Sequence, residues 1–291
     1  MQTRCWHLLL LVAAGVLLAA AILASHAEPL KVLRVSAIPD EAPTELLRKF
    51  APLGEYLKKE LGIPVDFVPV VDYAASVEAL AAGKLDMVWY GGFTYVQARH
   101  RTNGTAHVVV MRAEDLQFHS KFIARADSGI NSLQDLKGKT FTFGSVGSTS
   151  GHLMPRYFLQ QAGLVPERDF SRFSFSGAHD ATAKWVETGK VDAGALNESV
   201  WEKLVQEGKV DTTKVKVFWT TPAYVDYNWT VRGDLDRQLV SRIARAFLNL
   251  DYNNPEHRPI LDLQRAKAYV LAREDDFAGI VAAAKAAELL Q

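Results

Sequence analysis

The feature that most constrains this chain is a junction that occurs twice: Ala82-Gly83-Lys84-Leu85-Asp86-Met87 and Thr188-Gly189-Lys190-Val191-Asp192-Ala193. Each follows a stretch with helical apolar spacing and reads as helix, glycine stop, then strand. The two glycines stand 106 positions apart (189 minus 83), which predicts two topologically similar lobes. Short apolar runs at residues 32–38, 65–71, 108–111 and 215–219 alternate with longer stripes, of which Leu46, Leu47, Phe50, Leu53, Leu57 and Leu61 form the clearest. That alternation implies an α/β fold with mainly parallel sheets flanked by helices. A third copy of the short motif, Gly208-Lys209-Val210-Asp211, is ordinary chemistry for a helix-to-strand connection, so it is the flanking helix and strand that give the first two copies their meaning.

No low-complexity linker separates the lobes. The chain is therefore expected to cross between them by extended strands, near residues 119–122 and again near residues 219–224. From Leu235 onward the pattern is almost wholly helical, with Leu239, Ile243, Phe247 and Leu250, then Ile260 and Leu263, then residues 277–290. This last third should pack back on the first lobe, giving lobe 1 as residues 28–119 and 222–291 and lobe 2 as residues 120–221.

The first residues read as an export signal. Arg4 lies in a short basic head, an unbroken apolar run covers residues 8–24, and Ser25 and Ala27 supply small residues ahead of Glu28. Cleavage after Ala27 is expected, because the run is short for the roughly 20 residues a membrane span needs. The one cysteine, Cys5, precedes that run. It should leave with the signal, which excludes a lipid-modified amino terminus, disulfides, thiol catalysis and cysteine metal sites. Such a chain would move freely in an enclosed periplasm. Losing Arg4 leaves 32 basic against 33 acidic residues, a balance that does not suit a nucleic-acid surface. The 264 residues left after cleavage, from a chain 48% hydrophobic, can bury a large core.

The strongest local signal for chemistry is Gly144-Ser145-Val146-Gly147-Ser148-Thr149-Ser150-Gly151, between the strand-like residues 140–143 and the helical residues 152–161. The first amides of a helix have no partner within it, and its dipole places partial positive charge there. Ser148, Thr149 and Ser150 can add hydroxyl donors, and three consecutive hydroxyls exceed what capping alone requires. No Gly-Lys-Ser/Thr triplet closes the turn, so it is not a nucleotide P-loop. A second turn, Ser176-Gly177-Ala178-His179-Asp180, could supply an imidazole N–H from His179. A third, Tyr224-Val225-Asp226-Tyr227-Asn228-Trp229, sets aromatic rings around one carboxylate. Facing an anion, Asp226 is favourable only if the ligand brings a proton, so it would select protonated oxyanions over sulfate-like ones. The six histidines after residue 27 show no paired ligand spacing, and neither metal nor cofactor is expected.

Together these segments resemble the phosphate, phosphite and phosphonate-type periplasmic binding proteins over nearly the whole mature chain. The matching stretches are Asp72-Tyr73-Ala74, Gly83 through Gly91, Ser148-Thr149-Ser150-Gly151, Gly177-Ala178-His179 and Val191-Asp192-Ala193. Within that family the chain is similar to a subgroup carrying a selenate-binding label, through Ile38-Pro39-Asp40-Glu41-Ala42-Pro43-Thr44 and residues 227–234. The resemblance implies a two-lobed type II binding-protein fold with its ligand in the interlobe cleft. It makes Tyr73 a pocket wall and hydroxyl donor, Ser148, Thr149 and Ser150 the oxyanion cradle, His179 a further donor and Asp226 an acceptor. Tyr90 lies near the same cleft, and either Phe118 or His119 fills the place of an aromatic side chain facing the ligand. Aminoalkylphosphonate binders in the family carry a carboxylate where this chain has Ser199, beside Glu198, so a compact ligand without an aminoalkyl tail is expected.

The expectation is thus a monomeric periplasmic component of an ABC importer, binding a small oxyanion and delivering it to a membrane permease by hinge closure, and not an enzyme. The rival reading is a hydrolase using Ser148 or Ser150 with His179 and Asp226 in the same cleft. It lacks the Gly-x-Ser-x-Gly elbow, since Thr149 is central between Gly147 and Gly151.

Overall fold

The repeated junction is the same device in both halves of the fold. The computed structural model describes residues 30–290; the expected signal segment, with Arg4, Cys5 and Ala27, lies outside the described residues. Gly83 and Gly189 both take left-handed backbone, with φ of +66° and +73°, a conformation glycine adopts without strain. The aspartate that follows each then staples its strand to the neighbouring one. The Asp86 carboxylate accepts from the Arg34 amide at 2.8 Å, and the Asp86 amide donates back to the Arg34 carbonyl at 2.8 Å. In the other half Asp192 repeats both bonds with Thr140, at 2.8 and 3.2 Å.

Eleven strands among the described residues form two sheets. The first has the order β11-β4-β10-β3-β1-β2, from β1 (Leu33–Ala37), β2 (Val65–Phe67), β3 (Met87–Tyr90), β4 (His107–Arg112), β10 (Asn228–Val231) and β11 (Tyr269–Leu271). The second has the order β7-β6-β8-β5-β9, from β5 (Ser120–Arg125), β6 (Thr140–Phe143), β7 (Arg172–Phe175), β8 (Ala193–Asn197) and β9 (Val215–Thr220). Pairing is parallel for β1 with β2 and β3, and for β6 with β7 and β8. It is antiparallel wherever β5, β10 or β11 takes part. Most strands therefore run one way, and β5 and β10, the first strands after each passage between the sheets, run against them. At that passage the chain pairs with itself: Phe118 and Tyr224 exchange amide-to-carbonyl bonds of 2.8 and 2.9 Å, and the Thr221 amide donates to the Ser120 carbonyl at 3.1 Å.

The helices are α1 (Pro43–Leu61), α2 (Tyr73–Ala81), α3 (Gly92–Arg101), α4 (Met154–Gln161), α5 (His179–Glu187), α6 (Glu198–Gln206), α7 (Arg237–Leu248), α8 (Arg258–Gln264) and α9 (Ala278–Ala286), besides shorter turns. Proline opens α1, and Gly62 ends it in left-handed backbone by donating to the Lys58 carbonyl at 3.0 Å. Its stripe buries Leu46, Phe50, Leu53, Leu57 and Leu61 as the spacing predicts, whereas Leu47 points outward and is 55% exposed. Two expectations change. The run at residues 65–71 leaves the sheet early: the Val68 amide still reaches the Val35 carbonyl at 2.8 Å, but Pro69 has no N–H to continue the ladder, and Val71 is exposed. The last third also holds β11, a three-residue edge strand on β4 that the helical pattern hid.

Behind the passage lies a buried ion pair. Arg112 at the end of β4 donates twice to Asp115, at 2.8 and 2.6 Å, and once to the Gln264 carbonyl at 2.9 Å. Its guanidinium also faces the rings of Trp89 and Tyr227, 5.0 and 5.2 Å from their centroids. Replacing Arg112 by Ala leaves Asp115 buried and unpaired, so unfolding in urea should show a loss of about 3–5 kcal/mol. An unchanged midpoint would mean that Asp115 is solvated.

Candidate anion-binding site

The turn after β6 divides its three hydroxyls among three tasks. Ser148 is the cap: its Oγ accepts from the Gly151 amide at 3.0 Å. Thr149 Oγ1 accepts from the Phe93 amide in the first turn of α3, at 2.9 Å, so it joins the two lobes. Ser150 Oγ is buried and has no protein partner. Residues 149–153 wind as a π-helical turn before α4 begins, a local widening often found at functional sites. Among the described residues the amides of Thr149 and Ser150 meet no acceptor. His152 holds the turn in place, its Nδ1 donating to the Val146 carbonyl at 2.7 Å and its Nε2 accepting from Arg156 at 3.0 Å. Burial pushes its pKa down to about 4, so it remains neutral there.

Two glycines let the lobes meet. A methyl group at Gly147 would lie 3.1 Å from Tyr73 Cβ, and one at Gly91 would lie 2.8 Å from Thr149 Oγ1 and 3.1 Å from Asp226 Oδ1. The Gly147 carbonyl accepts from Thr94 at 2.8 Å, a second bond across the seam. Asp72 caps α2 by accepting from the Ala75 amide at 2.7 Å, which sets Tyr73 at the start of that helix. The Tyr73 hydroxyl is buried without a protein partner. Burial, with the charge of Asp40 second, holds its pKa far above the ordinary tyrosine range, so it stays protonated and able to donate.

His179 opens α5, and its amide donates to the Asp40 carbonyl at 2.9 Å. Its Nδ1 accepts from the Asn197 amide at 3.3 Å. Burial lowers its pKa, so the neutral ring carries its proton on Nε2, which lies 3.4 Å from the Tyr227 hydroxyl. Asp226 is wholly buried; its Oδ1 accepts from the Gly92 amide at 3.0 Å and its Oδ2 has no protein partner. Burial pushes its pKa up to about 7.

The structure thus gathers Tyr73, Ser148, Thr149, Ser150, His179 and Asp226 at one seam. Tyr90 is buried nearby, but its hydroxyl donates to the Ser76 carbonyl at 2.8 Å and is not available. Phe118 packs its ring against Tyr227, with centroids 5.6 Å apart, while His119 Nδ1 donates to the Thr221 carbonyl at 2.7 Å on the returning strand. Sequence reasoning missed Asp40, Tyr227 and Asn197 as members of the site. Asn197 Nδ2 donates to Tyr227 Oη at 2.8 Å, and Tyr227 Oη donates to Asp40 Oδ2 at 3.0 Å. Among the described residues no group of three His, Cys, Asp or Glu side chains gathers to hold a metal ion.

Residues 35–277 match the family model described as ABC transporter, phosphonate, periplasmic substrate-binding protein. The chain belongs to this family of periplasmic substrate-binding proteins. It is 39% identical over 261 residues to a protein of Prochlorococcus marinus (strain MIT 9301) described as a probable ABC transporter phosphite binding protein, PhnD1, a match covering 86% of this chain and 88% of that one. The phosphate-import protein PhnD of Mycolicibacterium smegmatis is 31% identical over 75% of this chain and 71% of its own length. A solved structure of PhnD1 from Prochlorococcus marinus with methylphosphonate superposes with a TM-score of 0.86 at 38% identity, covering 89% of this chain and 99% of that one. As members of this family are transporter components, a small-molecule ligand and a membrane permease are the partners of a phosphonate-type binding protein.

Because burial raises the Asp226 pKa, any motion that parts the seam and hydrates this carboxyl would depend on pH. Buried as it is here the carboxyl titrates near 7, whereas in an open, hydrated seam it would titrate near its ordinary 3.8. Closing therefore favours the protonated acid: it costs nothing below about pH 4, becomes harder as pH rises, and levels off above about pH 7. His179, held neutral by burial, acts in the opposite sense, so the comparison to make is with Asp226→Asn, in which the histidine is unchanged. Small-angle scattering of ligand-free protein should show the wild type losing closed population relative to Asp226→Asn between about pH 4 and about pH 7. A constant difference between the two would mean that Asp226 is not desolvated on closing.

Proposed function

We propose that this chain is the periplasmic binding component of an ABC importer for a compact phosphorus oxyanion of the phosphonate, phosphite or phosphate type, and that it acts as a monomer and catalyses no reaction. The observation that carries the proposal is the pairing of two buried hydroxyls without protein partners, Ser150 Oγ and Tyr73 Oη, with the unbonded amides of Thr149 and Ser150. Buried donors left unpaired cost stability unless a ligand meets them, and all of these are suited to a tetrahedral oxyanion. Ser148, Thr149, Ser150, Tyr73 and His179 supply donors or position them, and Asp226 meets a proton-bearing oxygen or offers its own proton. The similarity to PhnD1 supports the ligand class.

A compact ligand is favoured by what stands at the end of β8. Ser199 Oγ donates to Asn197 Oδ1 at 2.9 Å, and the Glu198 carboxylate is engaged by Lys121 at 2.6 Å. No free carboxylate is left there to meet a ligand amine. The absence of catalysis is supported by the partners of His179: its Nδ1 takes the Asn197 amide and its Nε2 faces Tyr227, so the imidazole is not engaged with Ser148 or Ser150 as a nucleophile's base would be. The free periplasmic form is supported by the signal expected at residues 1–27.

Calorimetry with methylphosphonate, phosphite, phosphate, aminoethylphosphonate, sulfate and selenate tests the proposal. The compact phosphorus acids should bind more tightly than the other three ligands, and Ser150→Ala should weaken methylphosphonate binding by about 10- to 100-fold, the equivalent of one charge-assisted hydrogen bond. Sulfate or selenate binding tighter than every phosphorus acid would contradict it, as would turnover of a phosphate ester that Ser150→Ala abolishes.

A further inference from the structure

The seam contains a second carboxylate beside Asp226. Asp40 lies between β1 and α1 and is fully buried. Its amide and carbonyl are used, the one donating to Ile38 and the other accepting from His179 across the cleft, both at 2.9 Å. Of its two carboxylate oxygens only one is held: Oδ2 accepts from Tyr227 Oη at 3.0 Å, and Oδ1 has no protein partner. Tyr227 Oη connects it to the donors, since it receives Asn197 Nδ2 at 2.8 Å and lies 3.4 Å from His179 Nε2. His179 in turn packs on the hydroxyl-bearing turn, its Cε1 3.0 Å from where a methyl group on Gly151 would sit.

The charged and titratable groups facing Asp40 are Lys49 of α1, Tyr73 of α2, His179 of α5 and Tyr227, with Glu41 next in the chain. None donates to Oδ1. Glu41 has its own partners, Lys203 at 2.7 Å and Arg265 at 2.8 Å, so the ion pairs that join the lobes do not need Asp40. If Asp40 served only to hold Tyr227, one oxygen would do that work, and the other would be desolvated without return.

Taking the cleft as an oxyanion site, we infer that Asp40 sets its selectivity, with Oδ1 accepting a hydrogen bond from an O–H carried by the ligand. An ionised carboxylate oxygen can only accept, so a fully ionised tetrahedral anion meets repulsion at this point. A singly protonated one, such as the monoanion of an alkylphosphonate, of phosphite or of phosphate, meets a partner. Asp226 is the complementary group: with its pKa up near 7 it can still hold its own proton at mildly acidic pH. Two carboxylates then divide the work, one offering a proton and the other requiring one, which is a filter on ligand protonation.

The test compares methylphosphonate with sulfate by calorimetry at about pH 6, near neutrality yet low enough for a singly protonated ligand. The wild type should prefer methylphosphonate. Asp40→Asn, in which an amide N–H2 can face the ligand, should reduce that preference at least ~10-fold by weakening methylphosphonate and strengthening sulfate. A ratio equal to that of the wild type overturns the assignment. Asp40→Ser carries the same comparison should the Asn variant fail to fold. The wild type supplies an independent readout: at about pH 8.5 methylphosphonate binding should take up a proton, seen as a dependence of the heat on buffer ionisation enthalpy, and no uptake overturns the inference. Failure of the wild type to bind any oxyanion would instead sink the proposed function on which this inference rests.

Discussion

The site is organised by one contact, the Phe93 amide donating to Thr149 Oγ1 across the seam at 2.9 Å. It joins the first turn of α3 to the turn after β6 and so sets two helix starts, one from each lobe, against each other. Thr149 cannot serve there as an ordinary cap, because Ser148 already fills that role. With capping and bridging assigned to Ser148 and Thr149, Ser150 is left with a hydroxyl that has no hydrogen-bond partner among the described residues. The contact is possible because Gly91 and Gly147 have no Cβ: either side chain would press on Thr149, Asp226 or Tyr73.

Electrostatics then decides what can occupy the seam. The donors are neutral: hydroxyls, amides and an imidazole held uncharged by burial. No arginine or lysine forms a bond to Ser150, Tyr73, Asp226 or Asp40 among the described residues. The nearby cations are committed, Arg112 to Asp115 and Arg265 and Lys203 to Glu41, while Lys49 stands over the rings of Phe50 and Trp89. In the proposed role such a site would recognise an anion by oriented dipoles, whose strength depends on geometry, with Asp226 able to offer a proton and Asp40 asking one of the ligand.

Much of the fold was legible because its signals are local. The glycine stops at 83 and 189, and the aspartates after them, act within a few residues of where they stand, so the repeat could be read directly. The strand after Thr140 and the buried stripe of α1 were legible for the same reason. Residues whose role is set by the other lobe were not. Thr149 looks like Ser150 in sequence and differs only in that Phe93 lies opposite it. Tyr90 stands among the family's matching residues, yet its hydroxyl is taken by Ser76, 14 positions earlier. Asp40, followed by Glu41 and a proline-led helix, looks like a loop or cap residue. Only Tyr227, 187 positions away, turns it into the site. The end of β2 at Pro69 could have been foreseen from the missing N–H, whereas the edge strand β11 is too short to show a period of its own.

A crystal structure of the protein with methylphosphonate would test the central claim most directly. Ser150 Oγ, Tyr73 Oη and the Thr149 and Ser150 amides should each lie about 2.6–3.2 Å from phosphonate oxygens, with Thr149 Oγ1 still bonded to Phe93. A phosphonate seated elsewhere, with those four donors facing solvent or one another, would contradict the account.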